Sequence, residues 1–521
     1  MNRNEMLERV GDKSKIWDVV IIGGGATGVG VAIEAASRGY QTLLVEQCDF
    51  SKGTSSRSTK LIHGGVRYLQ QGNVKLVLEA LRERGLLLQN APHLVSKLAF
   101  IVPNYHWWEA PFYGIGLKLY DVLALKYSFG TSQIVSGKTA LAHCPTIQTR
   151  GLQSGVIYYD GQFDDSRLLV NMAQTAVEAG GTLLNYTEAV SFTRKNNKID
   201  GVVIRDKETE KEYTVTSKLV INAAGVFADS LRQMDDPEAR PMISPSQGIH
   251  IVLDKSFLPG DTAIMVPKTD DGRVLFAIPW QDHLVVGTTD TPVKEKELEP
   301  LPFDSEIDFL LEHTGRYLTK TPTAEDVLSV FVGLRPLVSD PEDTNTKAIS
   351  REHAVHVSKS GLLTITGGKW TTYRRMAEDA IDKAAKLGGL PKRPCLTKDL
   401  KIHGYLQNPE KLTEFKLYGS DADKLMKLIE ANPEFGEILH PKMKTKVVEV
   451  VWAVRYEMAR TVEDFLARRA RVLFHNARAA MEMAPKVARI MAAELQKDDA
   501  WQDEQVTAFN TVAQGYLISN K

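Results

Sequence analysis

The stretch Trp17-Asp18-Val19-Val20-Ile21-Ile22-Gly23-Gly24-Gly25-Ala26-Thr27-Gly28, which closes at Val45-Glu46, decides the fold. Four consecutive β-branched apolar residues read as a strand buried on both faces. Gly23, Gly25 and Gly28 form a G-x-G-x-x-G pattern, and Val29 to Arg38 reads as a helix stopped by Gly39. The first glycine permits a tight turn, the second lets the backbone approach a pyrophosphate, and the third lets helix and strand pack closely. The helix N-terminus faces the phosphates. A second apolar run, Thr42 to Val45, carries Glu46, whose carboxylate can accept hydrogen bonds from ribose hydroxyls. Strand, helix and acid agree on dinucleotide binding over an ordinary glycine turn. A carboxylate at Glu46 would repel a 2′-phosphate, which disfavours NADP and leaves FAD and NAD open on this stretch.

Around it lies an ordinary globular composition. The 521 residues are 43% apolar and 25% charged, enough for about three domains and a large core. A net charge of −1 gives no field suited to nucleic acid. The three cysteines, Cys48, Cys144 and Cys395, are scattered, which favours a reducing compartment and argues against a disulfide framework or a metal site. The first fifteen residues mix both signs of charge, unlike a signal peptide, and Val19 to Ile33 is too short and glycine-rich to span a bilayer. The expected location is cytoplasmic, with peripheral contact at the inner face of the cell membrane left open.

After Glu46, Thr54-Ser55-Ser56 leads to Lys60-Leu61-Ile62-His63-Gly64-Gly65-Val66-Arg67-Tyr68-Leu69, a hydroxyl-rich loop suited to lining a cofactor. Leu76 to Gln89 has helical spacing. The aromatic segment from Phe100 to Gly137 reads first as a cap packed over the core, and second as a surface that dips into a membrane interface. Asp165-Ser166 opens a helix, and strands follow at Leu183-Leu184, Ala189 to Thr193 and Val202 to Ile204, with an Asn196-Asn197 turn. Leu219-Val220-Ile221-Asn222-Ala223-Ala224-Gly225 reads as another buried strand meeting a glycine, parallel to the first. Residues 240–330 alternate with period two, as a mixed or antiparallel sheet on the substrate side of a cleft. Gly361 to Arg374 repeats strand, paired glycines and helix start, with Thr371 or Thr372 as a cap. Beyond Pro391 and Pro394 the chain reads as helical, with Thr461-x-x-Asp464 as a capping box. Residues 441–489 hold eleven Lys/Arg against five Asp/Glu, read as a solvated face or as a contact for anionic lipid.

These motifs, with Gly333-Leu334-Arg335-Pro336-Leu337 and Gly367-Gly368-Lys369-Trp370-Thr371-Thr372-Tyr373-Arg374, resemble the FAD-dependent glycerol-3-phosphate dehydrogenases of the D-amino-acid-oxidase-like flavoprotein group. The likeness runs from about residue 15 to 390. It implies an α/β chain with a Rossmann-like FAD-binding domain (15–100, 150–235, 330–390) interleaved with a mixed or antiparallel substrate domain (100–150, 235–330). A helical C-terminal domain (395–521) follows. The implied reaction oxidises sn-glycerol 3-phosphate to dihydroxyacetone phosphate, with hydride passing from C2 to FAD and electrons to a quinone. FAD is expected on Gly23, Gly25, Gly28, Glu46, Thr54, Ser55, Ser58, Val190, Gly225, Gly368 and Thr371. A phosphate dianion calls for converging guanidinium groups, and Arg335 is the first choice, helped by Arg67 and Arg351. His250 is the expected base with His63 as rival, Lys369 would stabilise developing charge, and Tyr68 would shape the pocket. No metal is expected, and a homodimer is left open.

Three rival readings share parts of this pattern. A glycerol-3-phosphate oxidase would use oxygen but tends to carry an extra insertion, which this chain lacks. An amine or amino-acid oxidase of the same scaffold would need fewer converging arginines. An NAD-dependent dehydrogenase would not need the strand-glycine returns at Gly225 and Gly367-Gly368.

Overall fold

The opening strand forms because Val19–Ile22 has no polar side chain to satisfy and is inaccessible along nearly its whole length. In the computed structural model, which describes residues 1–66, 69, 72–270, 272–338 and 353–518, it sits inside a six-stranded sheet. The order is His353–Val357, Leu363–Gly367, Val220–Asn222, Val19–Ile22, Thr42–Val45 and Thr182–Leu184, parallel except for the first pair. The helices Ala26–Ser37, Asp165–Glu178 and Tyr373–Leu387 contribute to the same core. Gly23 turns the chain with φ 117°, and a side chain there would overlap the Ala223 carbonyl. A methyl at Gly28 would overlap the Gly23 carbonyl oxygen, so the third glycine is there for helix–strand contact, as its place in the motif implies. Truncating a buried residue such as Ile21 to Ala would cost about 2–5 kcal/mol.

The second layer is a ten-stranded sheet. Its path runs Thr291–Pro292, Ile243–Asp254, His283–Gly287, Leu275–Trp280, Thr262–Val266, Val95–Asn104, Ser154–Phe163 and Leu61–Ile62. Ser329–Val338 pairs with Ile243–Asp254, and Gln133–Ser136 with Ser154–Phe163. Only Thr262–Val266 with Val95–Asn104 is parallel. Leu61–Ile62, Ser154–Phe163 and Ser329–Val338 therefore hydrogen-bond into this layer, although the expected boundaries grouped them with the dinucleotide part. Long antiparallel partners captured these segments, and that pairing leaves no mark in the residues on either side. A small sheet carries the Thr187–Lys195 and Lys198–Asp206 hairpin, where Asn196 and Asn197 both take positive φ, as a two-residue turn requires. The C-terminal part is helical, with Val447–Glu457, Ala477–Leu495 and Asp499–Gln514 around an apolar core that also takes in Val252, Trp280, Val285 and Phe331 of the second sheet.

The helix Asp165–Glu178 opens at Asp165 as read, with Asp164 as its cap, while the Asp165 carboxylate turns inward to Lys60. Two local expectations change. Thr372 takes the N-cap position of the helix Tyr373–Leu387 but makes no side-chain capping bond, because its hydroxyl donates to the Lys369 carbonyl and that of Thr371 to the His63 carbonyl. The aromatic segment is only partly a cap. Leu117 and Tyr120 of the Glu109–Ala124 helix are buried, but Phe112, Ile115, Leu119 and Val122 form an exposed stripe, with Ile115 73% accessible and neighbouring Trp107 80%. Thr461 and Asp464 do form the reciprocal capping box.

Candidate active site

A cavity of about 920 Å³ opens where the two large sheets meet. Its wall includes Gly23, Gly25 and Glu46, Thr54, Ser55, Ser58 and Gly225, and Gly368, Lys369, Thr371, His63, His250 and Arg335. Residues more than three hundred positions apart are thus brought together. Val190 does not line it; Thr187, Glu188 and Ala189 of the same strand do. Gly28 also stands back from the wall, where its work is packing. Arg67, Tyr68 and Arg351 lie outside the described residues. Among the described residues there is no cluster suited to a metal ion, and the three cysteines are free thiols.

At the dinucleotide end, Glu46 accepts from its own loop. Oε2 takes the Gly24 N–H at 2.6 Å and Oε1 the Cys48 N–H at 2.9 Å. Burial raises its pKa, while those two donors oppose the shift. The Ala26 N–H at the helix start donates to Ser55 Oγ at 2.9 Å, and Trp370 Nε1 donates to the Ser55 carbonyl at 2.9 Å. Thr54 Oγ1 donates to the Leu334 carbonyl at 2.6 Å, tying the loop to the second sheet. Ser58 lines the cavity, but its hydroxyl donates to Asp165 Oδ2 at 2.7 Å, so that group is already committed. The glycine turn, the helix start and the acid Glu46 along one cavity fit a dinucleotide such as FAD.

At the other end, His250 and Arg335 come from the paired strands Ile243–Asp254 and Ser329–Val338. His250 faces Phe331 across the ladder and Ser246 faces Arg335, so all four project to one side of the sheet. The His250 ring stacks on Phe331 with centroids 4.7 Å apart, and Nε2 lies 2.9 Å from Thr59 Oγ1. Nδ1 is buried without a hydrogen-bond partner among the described residues. Burial first, then the positive charges of Lys60 and Arg335, hold its pKa well below the usual histidine value, so the imidazole is neutral at pH 7. A side chain at Gly287 would overlap that ring, and one at Gly248 would overlap the Arg335 guanidinium. Arg335 Nη1 donates to Asp290 Oδ1 at 3.1 Å, and Nη2 donates to Thr288 Oγ1 at 3.0 Å and the Thr289 carbonyl at 2.9 Å. The guanidinium is therefore fixed in direction before any ligand arrives. His63 is joined to Thr371 by reciprocal backbone–hydroxyl contacts and does not share the His250 strand.

Sequence reasoning missed several contributors. Thr59 holds the candidate base, and Lys52, Arg57 and Lys296 add positive charge to the cavity wall, paired with Glu463, Glu299 and Asp229 respectively. Gly248 and Gly287 were the available signal, since an isolated glycine in a strand often marks close approach.

Comparison with known proteins follows the same division. A family model described as FAD dependent oxidoreductase matches residues 18–374, and one described as the C-terminal domain of alpha-glycerophosphate oxidase matches residues 364–502. The chain is 40% identical over 524 residues to the mitochondrial glycerol-3-phosphate dehydrogenase of Homo sapiens, across 94% of this chain and 72% of that one. It is 41% identical over 536 residues to the mitochondrial glycerol-3-phosphate dehydrogenase of Arabidopsis thaliana, across 94% and 84%. The X-ray structure of the glycerol-3-phosphate dehydrogenase from Bacillus halodurans complexed with FAD matches with a TM-score of 0.80 at 29% identity, covering 100% of this chain and 99% of that one.

Proposed function

The chain belongs to the FAD-dependent oxidoreductase family, with glycerol-3-phosphate dehydrogenases among its close relatives, and on that premise we propose its reaction. It oxidises sn-glycerol 3-phosphate to dihydroxyacetone phosphate and delivers the electrons to a membrane quinone. The observation that carries this reading is that His250, Arg335 and Lys369 line the same cavity as the glycine turn and Glu46. FAD, when bound, supplies a two-electron acceptor for the hydrogen at C2 of the substrate.

The chain's own groups do the rest. His250 is neutral and takes the proton of the C2 hydroxyl, at a ring held by Thr59 and Phe331. Arg335 offers the phosphate a positive charge held in place by Gln247, Asp290, Thr288 and Thr289. Lys369 stabilises negative charge that develops as the carbonyl forms. Arg67 and Arg351 as further phosphate contacts, Tyr68 as a pocket wall and His63 as an alternative base rest on the resemblance.

Two features support a lipid-borne acceptor. Quinones partition into bilayers, and the exposed stripe of Phe112, Ile115, Leu119 and Val122 is an apolar face of the kind that enters a membrane interface. The same helix touches the cavity loop, because Tyr120 Oη accepts from the Gly64 N–H at 2.7 Å. No helix among the described residues is long and apolar enough to cross a membrane, so the contact proposed is peripheral, at the inner face. A second reading, with oxygen as acceptor, draws on the C-terminal match to alpha-glycerophosphate oxidase. Oxygen consumption against quinone reduction separates the two.

Replacing Arg335 with Ala tests the substrate assignment. The expected result is a rise in KM for glycerol 3-phosphate of about ten- to a hundredfold with FAD still bound, from the loss of charge-assisted hydrogen bonds. Loss of FAD with unchanged substrate affinity would contradict it.

A further inference from the structure

The loop from Lys52 to Thr59 supplies a large part of the cavity wall, yet it is held from behind by the helical C-terminal part. The contact is a short stretch of chain, residues 463–471. Arg468 Nε and Arg469 Nη1 both donate to Asp49 Oδ2 at 2.6 Å, and Glu463 accepts from Lys52 Nζ at 2.5 Å. Arg471 reaches deepest. Its Nη2 donates to the Ser56 carbonyl at 2.8 Å and to Asp165 Oδ1 at 2.9 Å, while its Nη1 donates to the Ala467 carbonyl at 2.8 Å. Lys60 grips the same two acceptors from the loop itself, with Nζ 2.7 Å from the Ser56 carbonyl and 2.7 Å from Asp165 Oδ2. Lys60, Asp165 and Arg471 are all almost wholly inaccessible. Both cations hold left-handed backbone, with φ 63° at each, a conformation that persists in such residues only where the surroundings enforce it.

We propose that Arg471 is a positioning residue for FAD. By bridging the Ser56 carbonyl and Asp165, it holds the Gly53–Lys60 loop in the shape that presents Thr54, Ser55 and Thr59 to the cavity. The C-terminal part is then built into the cofactor site and not appended to it. The loop needs such help. Its only regular structure is the short turn Thr54–Ser56, and the strand that follows is two residues long. Buried backbone carbonyls need partners, and Ser56 finds both of its cations in this cluster. A loop that spends less time in the receptive shape lowers apparent cofactor affinity in proportion. Lysine cannot replace arginine here, because a single ammonium lacks the planar fork that reaches acceptors on two sides. This inference rests on FAD as the occupant of the cavity and not on the identity of the substrate.

The test uses the full-length protein as wild type, Arg471→Met, Arg471→Lys and Arg455→Met. Arg455 pairs with Glu494 on the surface of the same helical part and serves as control. FAD is titrated into each apoprotein by flavin fluorescence, and the thermal midpoint of each apoprotein is recorded. Both Arg471 variants should bind FAD about tenfold or more weakly than wild type, with apoprotein midpoints that fall but stay above the titration temperature. Arg455→Met should change neither quantity. Unchanged FAD affinity in Arg471→Met would overturn the proposal. So would a weakening matched by Arg455→Met, since that would trace it to the helical part in general. Should Arg471→Met fail to fold, Arg471→Lys decides by the same two readings, because it keeps the charge and removes only the fork.

Discussion

His250 is buried and feels the positive charges of Lys60 and Arg335, and this sets the pH behaviour of the site. Its folded pKa is depressed by burial and those charges, so the neutral, proton-accepting form persists well below pH 6.5. We expect kcat/KM for glycerol 3-phosphate to show no acid limb near pH 6.5. A limb centred there that disappears in His250→Asn would contradict the assignment. The histidine was legible in the sequence as a polar residue on an otherwise apolar strand, but its environment was not. Thr59 comes from a loop far off in the chain, and Phe331 from a partner strand whose register only pairing reveals. Ser58 shows the opposite case, a plausible hydroxyl in the right loop whose hydrogen-bonding capacity is taken by a buried carboxylate.

Elements were more legible than contacts. Four β-branched residues, three glycines and an acid at the right spacing define strand, turn and helix locally, so the Val19 to Glu46 unit was readable without the rest. The segment after the Pro391 and Pro394 linker was readable only as helical, because its partners lie elsewhere. His403 illustrates this. Nδ1 lies 2.6 Å from Glu178 and Nε2 2.6 Å from Asp421, joining the Asp165–Glu178 helix to the start of the C-terminal part. Burial works against its charge, but the two carboxylates prevail and raise its pKa to about 9. A histidine pKa raised on folding stabilises fully below the unfolded value near 6.5 and loses that contribution as pH rises through about 9. The thermal midpoint of wild type should therefore exceed that of His403→Gln by more at pH 6 than at pH 10. With Glu178 largely exposed, the pH-dependent difference should be roughly 1–2 kcal/mol. An equal gap at both pH values would show that His403 is not charged in the folded protein. The basic run 441–489 divides: Lys442, Lys444, Arg455, Arg478 and Arg489 lie on the exposed surface, while Arg468, Arg469 and Arg471 are buried in ion pairs.

At the scale of the whole molecule, the active end of the cavity lies where two sheets meet, and one helix links that junction to an exposed apolar face. Period and spacing identified the sheets but not their junction, since strand order across ten strands depends on pairing between distant segments. The exposed face predicts membrane contact. Wild type should float with liposomes, and replacing Ile115 and Leu119 with Ser should reduce flotation while leaving FAD content unchanged. Flotation unaffected by those changes would place the contact elsewhere. Cofactor and substrate are tested together by an anaerobic absorbance spectrum before and after addition of glycerol 3-phosphate. The expected result is a yellow protein whose flavin band bleaches on addition. A yellow protein that keeps its band with glycerol 3-phosphate but bleaches with an amino acid would contradict it.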